Sequence, residues 1–200
     1  MTAIILAGGA SRRLGRDKAG ALLGGRTLLE RAVLAMQQLA GEVIVVVAPA
    51  QPSPLPPELS VRLEEDLHPG RGPLAGLYTG LLAARSPYCW AVGCDMPFLS
   101  PPLLRYLRER APTYDAVVPV VAGRLHPLHA VYSKTALPIA EEMLTEGGGS
   151  LHGLLERLHV LHIGETEGAR PEEWRRSCFN INTPEDWAQA EASDKSERPG

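Results

Sequence analysis

Thirteen consecutive residues, Leu6-Ala7-Gly8-Gly9-Ala10-Ser11-Arg12-Arg13-Leu14-Gly15-Arg16-Asp17-Lys18, combine three glycines with three arginines and a lysine. Glycine lets backbone approach a ligand closely and turns its N–H groups inward, making an anion-binding concavity; the cations add charge against a polyphosphate. Phosphate binding is the chemistry this composition suggests, with Leu6, Ala7, Gly8 and Gly9 at the cradle and Arg13 and Lys18 among the cations available to a polyphosphate. Neither common fingerprint is present. G-x-G-x-x-G is absent, and Lys18 follows Asp17 rather than the last glycine of a G-x-x-x-x-G-K-[ST] loop. A tight turn with a solvated basic face would use the same glycine pair.

Four further groups are of types that do chemistry. Val92-Gly93-Cys94-Asp95-Met96-Pro97-Phe98 ends an apolar run at an aspartate. Ligand crevices of open α/β sheets lie beyond the carboxyl ends of strands, and a carboxylate there suits Mg²⁺ shared with substrate phosphates, though it also suits a turn cap. Asp66 precedes Pro69-Gly70-Arg71-Gly72-Pro73-Leu74-Ala75-Gly76-Leu77, a glycine–proline turn running into a helix. Asn180-Ile181-Asn182-Thr183-Pro184-Glu185-Asp186 contains a helix cap, Thr183 with Asp186, and two asparagines that alternate onto one face of an extended segment. His126-Pro127-Leu128-His129-Ala130-Val131-Tyr132 carries two histidines beside a turn, where an exposed loop histidine and a phosphate-binding one are both open.

The elements that must position these groups alternate. Apolar β-rich runs at Ala3–Leu6, Val43–Val47, Val61–Glu64, Cys89–Val92, Ala116–Val120, Leu128–Tyr132 and His159–Ile163 predict strands, several apolar throughout as in strands buried on both sides. Helical spacing predicts helices over Leu28–Leu39, Leu74–Ala84, Pro101–Arg110 and Thr135–Leu144, the third with Ser100 as N-cap and Pro101 in its first turn. Ala48 to Pro57, with five prolines, is a surface loop. Ala122-Gly123-Arg124 between apolar runs predicts a hairpin, which either shapes a second ligand site or is a plain edge. The pattern gives an α/β, Rossmann-like three-layer α/β/α fold with a mostly parallel sheet and an appended hairpin. One domain over residues 1–192 is expected, followed by a disordered polar tail over 193–200.

Composition sets outer limits. At 200 residues with 44% hydrophobic side chains the chain is long enough for one buried core, and a net charge of −3 argues against a general nucleic-acid or anionic-membrane binder. Cys89, Cys94 and Cys178 have neither disulfide-framework nor C-x-x-C spacing, so they are expected as reduced, packed thiols. The short apolar run at Ala3–Ala7 precedes its arginines, the reverse of a signal peptide, and no run approaches a membrane span; the expected location is cytoplasmic.

The Leu6–Lys18 string resembles the L-A-G-G-x-S-x-R-M-G-x-D-K signature of nucleotidyltransferases acting on the molybdenum cofactor, with Leu14 in place of methionine. The D-M-P-F at Asp95, the G-P-L-A-G at Gly72–Gly76, the P-L-x-A-x-Y at Pro127–Tyr132 and the N-x-N-T-P at Asn180–Pro184 are similar to the same family, so the resemblance spans Ile4 to Trp187. It implies a Mg²⁺-dependent guanylyltransferase joining GMP from GTP to Mo-molybdopterin. Asp95 would be the metal ligand, Asp66, Gly72 and Pro73 would contact the nucleotide, and His126, Pro127, Asn180 and Asn182 would face the second substrate. Relatives using CTP often carry an acid where Asn182 stands, and an amide offers hydrogen bonds without charge, which tilts the resemblance toward GTP. One departure stands out: Ala48-Pro49-Ala50 occupies the place of a nucleotide-contacting asparagine. A cytidylyltransferase, another small-molecule nucleotidyltransferase and a non-catalytic nucleotide-binding module are the competing readings. The resemblance further implies transient contact with molybdenum-insertion or molybdoenzyme-maturation proteins.

Overall fold

The structure, a computed structural model, describes residues 1–7, 19–50, 55–56 and 58–196. Its sheet is built from the apolar runs. Strands β1 (Thr2–Leu6), β4 (Glu42–Val47) and β6 (Tyr88–Gly93) form its middle, with β1 parallel to both neighbours and all five of its residues buried. Two short strands, β2 (Leu22–Leu23) and β3 (Arg26–Thr27), make a separate hairpin. The edge strand β5 (Arg62–Glu65) pairs with β4, and its largely exposed, charged sequence fits an edge.

On the other side of β6 the sheet continues through β9 (His129–Ser133), β7 (Ala116–Val121) and β10 (Val160–Gly164), giving the order β10-β7-β9-β6-β1-β4-β5. β10 is parallel to β7, whereas β9 runs antiparallel to both β6 and β7. The expected hairpin is present as β7 with β8 (Arg124–Leu125), turned by Ala122 and Gly123 at positive φ. The chain then returns not at an edge but as β9, fully buried inside the sheet.

Helices cover both faces. α1 (Leu28–Gln37), α3 (Pro101–Glu109) and α6 (Pro171–Ser177) close one core, centred on Ile5, Val45, Trp90, Val117 and Trp174. α2 (Pro73–Ala83), α4 (Leu137–Thr145) and α5 (Leu151–Glu156) close the other, centred on Ile4, Ile44, Leu77, Ala91 and Tyr132. α1 starts at a capping box, Thr27 Oγ1 accepting from Glu30 N–H while Glu30 accepts from Thr27 N–H, and buries Leu28, Leu29, Ala32, Val33 and Met36. A third cluster, Leu23, Leu28, Ile181 and Ala190 with Phe98, Phe179 and Trp187 against it, fastens α7 (Pro184–Ser196) over the β2–β3 hairpin.

Three expectations are corrected. The helix expected over Thr135–Leu144 is a 3₁₀ turn, Lys134–Ala136, followed by α4, because Pro138 suits a new first turn and lacks the N–H an unbroken helix would use. Ser100 occupies the N-cap of α3 but makes no side-chain cap bond; its own N–H donates to Ser177 Oγ at 2.8 Å. Residues 193–196, expected in a disordered tail, are the last turn of α7, where Asp194 is buried and paired with Arg31 at 2.8 Å.

Candidate active site

Parallel pairing brings several predicted residues to one rim. Leu6, the last residue of β1, lies in register with Val46 on one side and Gly93 on the other, so the chain leaves β1 between the ends of β4 and β6. Ala7 N–H donates to the Val46 carbonyl at 2.9 Å, and Cys94 N–H donates to the Leu6 carbonyl at 3.2 Å. Leu6 and Ala7 are therefore one residue of β6 away from Asp95. Gly8, Gly9, Arg13 and Lys18 lie outside the described residues.

Asp95 is half-buried and held by its backbone: its carbonyl accepts from Ile181 N–H at 2.9 Å. Its carboxylate folds back over the end of β6, where a Cβ on Gly93 would stand 2.5 Å from Oδ1. Gly93 thus leaves room for the carboxylate, a role that its ordinary φ would not reveal from sequence. One carboxylate on a strand end fits a cation that keeps waters and shares phosphate oxygens better than one needing a full protein cage. Accordingly, no three His, Cys, Asp or Glu side chains converge as a metal cage among the described residues.

Asp66 sits just past β5, its N–H donating to the Val47 carbonyl at 2.9 Å. Its Oδ1 accepts from His68 N–H at 3.0 Å and lies 3.5 Å from Thr79 Oγ1 of α2, so this side chain shapes the turn that leads to the α2 N-terminus. That terminus is open: Gly72, at φ +74, makes no side-chain cap and Pro73 begins the helix, both exposed on the rim. Substituting any residue with a side chain at Gly72 would be strained. Asp66 and Gly72–Pro73 share the rim with the ends of β1 and β4.

Asn180 and Asn182 come to the Asp95 side. Ile181 between them is fully buried while Asn180 is half-buried and Asn182 exposed, the alternation expected of an extended segment. The cap after them is complete: Asp186 N–H donates to Thr183 Oγ1, and Asp186 Oδ2 accepts from the N–H groups of Asn182 and Thr183, both at 2.8 Å.

His126 and Pro127 form a turn at the start of β9, with His129 N–H donating to the His126 carbonyl and Tyr132 O–H donating to the Pro127 carbonyl at 2.9 Å. Leu128 accepts from Gly93 N–H at 3.1 Å, which places the turn beside Asp95. Burial holds His126 below the ordinary imidazole value, and Arg124 adds to this against a hydrogen bond to Val121. Burial thus favours its uncharged form. His129 is no loop residue: it is fully buried, and burial pushes its imidazole down to about 4.

The depressed value of His129 has a definite sign. As pH falls, the unfolded chain takes up this proton first, near 6.5, so the contribution to stability is intact above that value and is lost progressively toward 4. Denaturant unfolding of the wild type and His129→Gln at pH 7.5 and 4.5 should show the gap between them shrinking by about 2–3 kcal/mol at the lower pH. A pH-independent gap would contradict a neutral buried imidazole.

A cleft of about 630 Å³ lined by Met1, Gln37, Glu42, Val43, Arg62 and Arg85 lies at the opposite, amino ends of β1 and β4. Sheet topology puts ligand chemistry at the other rim, and here Glu42 already faces both Arg62 and Arg85. Sequence reasoning named Gly93 and His129 without reading their structural roles, and missed Ser177 and the whole of α6. The last had a legible signal: Pro171 in its first turn, Glu172 and Glu173 at its N-terminus and Arg175 and Arg176 at its C-terminus match the helix dipole.

Residues 3–161 match the model of the MobA-like NTP transferase domain. The chain belongs to this family. A protein of Pelotomaculum thermopropionicum named as a probable molybdenum cofactor guanylyltransferase is 34% identical over 199 residues, covering 100% of this chain and 96% of the relative. A relative of the same name from Chloroflexus aggregans is 38% identical, covering 93% of this chain and 91% of its own. The crystal structure of the molybdopterin-guanine dinucleotide biosynthesis protein A from Archaeoglobus fulgidus superposes with a TM-score of 0.85 at 28% identity, covering 98% of this chain and 100% of that one. The α/β fold and membership among MobA-like nucleotidyltransferases follow.

Proposed function

We propose that this MobA-like nucleotidyltransferase is a molybdenum cofactor guanylyltransferase. The observation that carries the reading is the end-to-end likeness to relatives bearing that name. In the reaction, an oxygen of the terminal phosphate of Mo-molybdopterin attacks the α-phosphorus of GTP. The bond from the α-phosphorus to its bridging oxygen breaks, and pyrophosphate leaves with that oxygen. The attacking phosphate is already ionised at neutral pH, so positioning and charge stabilisation carry the catalysis.

The roles rest on the motifs the chain shares with the family and, for the described residues, on the common rim. Backbone at Leu6, Ala7, Gly8 and Gly9 lines the triphosphate cradle, and Arg13 and Lys18 stabilise charge on the triphosphate and departing pyrophosphate. The open α2 terminus at Gly72 and Pro73, set by Asp66, completes the nucleotide side. Asn180, Asn182, His126 and Pro127 face the second substrate, next to Asp95. Asp95 would hold Mg²⁺, which would supply positive charge at the reacting phosphates. No helix among the described residues is long and apolar enough to cross a membrane, and we place the reaction in the cytoplasm, with small-molecule substrates and transient contact with molybdenum-insertion or molybdoenzyme-maturation proteins.

GTP and CTP, each with Mg²⁺, separate this reading from its neighbours. GTP at 100 times its Kd should raise unfolding stability by about 2.7 kcal/mol and CTP at the same concentration should add little. Equal or greater protection by CTP points to a cytidylyltransferase. Pyrophosphate release from GTP only when Mo-molybdopterin is present is the expected catalytic result; binding without release in its presence identifies a non-catalytic module.

A further inference from the structure

Three chain segments that meet at the rim are joined beneath it by one buried polar cluster. His129, first residue of β9, pairs with Val92 of β6 and has no solvent exposure. Its Nε2 lies 2.6 Å from Oγ of Ser177, the last residue of α6, which is equally inaccessible. Ser177 Oγ accepts the Ser100 N–H at 2.8 Å. From Ser100 the chain runs back to Asp95; from Ser177 it runs forward to Asn180 and Asn182; from His129 it runs back to Pro127 and His126. The Asp95–Ser100 and Ser177–Asn182 segments then meet again where Ile181 N–H donates to the Asp95 carbonyl.

Proton positions follow from the donor count. Ser177 Oγ already receives the Ser100 N–H, and its own hydroxyl proton needs an acceptor. His129 Nε2 is the acceptor in reach, which makes the imidazole a neutral Nδ1–H tautomer. Nδ1 is buried and makes no hydrogen bond among the described residues, with the Trp174 ring edge-on 6.1 Å away. An unsatisfied buried nitrogen is unfavourable, so the imidazole sits here at a cost, while Ser177 keeps the Ser100 N–H paired. The low value of the imidazole keeps it in its accepting form throughout the physiological range. Stability therefore does not account for this histidine, whereas geometry at the rim does.

We propose that His129 and Ser177 are a positioning pair that fixes the Asp95–Ser100 segment against the Asn180–Asn182 segment, and so sets the alignment of nucleotide and acceptor. The proposal rests on the guanylyltransferase reading for its kinetic arm and on the fold alone for its structural arm. Misplacement of reacting groups by about 1 Å costs on the order of 100-fold, so a loosened clamp should be felt in turnover.

The test uses the full chain with Ser177→Ala, His129→Leu, their combination, and His129→Gln, whose Oε1 accepts the Ser177 hydroxyl. Ser177→Ala and His129→Leu should each lower kcat about tenfold or more with KM for GTP within about twofold, and the double variant should be no worse than the poorer single. Amide exchange at Ile181 should quicken about tenfold in both, while that of Cys94, bonded to the Leu6 carbonyl, stays at the wild-type rate. His129→Gln should recover most of both properties. The pair is overturned if the thermal midpoint falls but kcat and Ile181 exchange do not move, if the single effects add, or if glutamine serves no better than leucine. Should His129→Leu fail to fold, Ser177→Ala carries the same comparison. A wild type that transfers no GMP would sink the functional reading, and Ile181 exchange would still decide the pair.

Discussion

Asp95→Asn is expected to lower nucleotidyl transfer on the order of 1,000-fold, at saturating Mg²⁺, while leaving the thermal midpoint within about 2 °C of wild type. Three backbone hydrogen bonds hold the strand end around this residue. The Asp95 carbonyl is held by Ile181 N–H, Cys94 N–H by Leu6, and Met96 N–H by the Gly93 carbonyl at 3.4 Å. The asparagine has the same shape and fits the space that Gly93 leaves open. What changes is one negative charge and its capacity to hold a divalent cation against phosphate oxygens. Pyrophosphate release from GTP and acceptor measures the loss, and thermal unfolding measures the fold. Retention of more than roughly a tenth of the activity would remove Asp95 from the proposed chemistry.

The residues around Asp95 also show how much the sequence makes legible. A short, fully apolar run such as Val43–Val47 or Cys89–Val92 suits a strand with helices on both faces, and both are in the sheet within a residue of their expected bounds. Parallel order then requires the end of β6 to share a rim with the end of β1, so the strand pattern alone carries Asp95 to that rim. The position of β9 has no such signal. Period and composition say that Leu128–Tyr132 is a strand, not which neighbours it takes, and its place between β6 and β7 comes from long-range pairing.

His129 is obscured for that reason. A histidine beside a turn looks solvated until an antiparallel strand carries it into the interior. Likewise, the polar end of α7, residues 193–196, suggests a tail, since what holds it lies far off in the chain, Asp194 on Arg31. Ion pairs between residues 163 positions apart leave no local periodicity to detect. The Gly8–Lys18 segment is the converse case: its glycines and cations are explicit in the sequence but lie outside the described residues, and the structure contributes the place where the chain leaves β1, between Val46 and Gly93.

Gly80→Ala is expected to destabilise the protein by about 2–3 kcal/mol, although the same change in an exposed helix would help. Alanine gains about 1 kcal/mol over glycine in a helix interior, and Gly80 has no unusual backbone angle to protect. The opposing term is contact. A Cβ at this position would lie 2.3 Å from Ile4 Cγ2 and 3.1 Å from Ile4 Cδ1, and Ile4 is fully buried in β1 with no room to turn away. Overpacking on this scale costs typically 1–3 kcal/mol and occasionally more, so contact outweighs propensity. Relief requires α2 to lift from β1, and α2 carries Gly72 and Pro73 at the rim, so binding of GTP should weaken along with stability. Gly41→Ala provides the control: it meets nothing within 4 Å and should be nearly neutral. Ile4→Ala removes the obstructing methyl at its own cavity cost of roughly 2–5 kcal/mol, and the double variant should be less destabilised than the sum of the two singles. Simple additivity, read by denaturant unfolding, would mean that α2 does not press on β1 at Gly80.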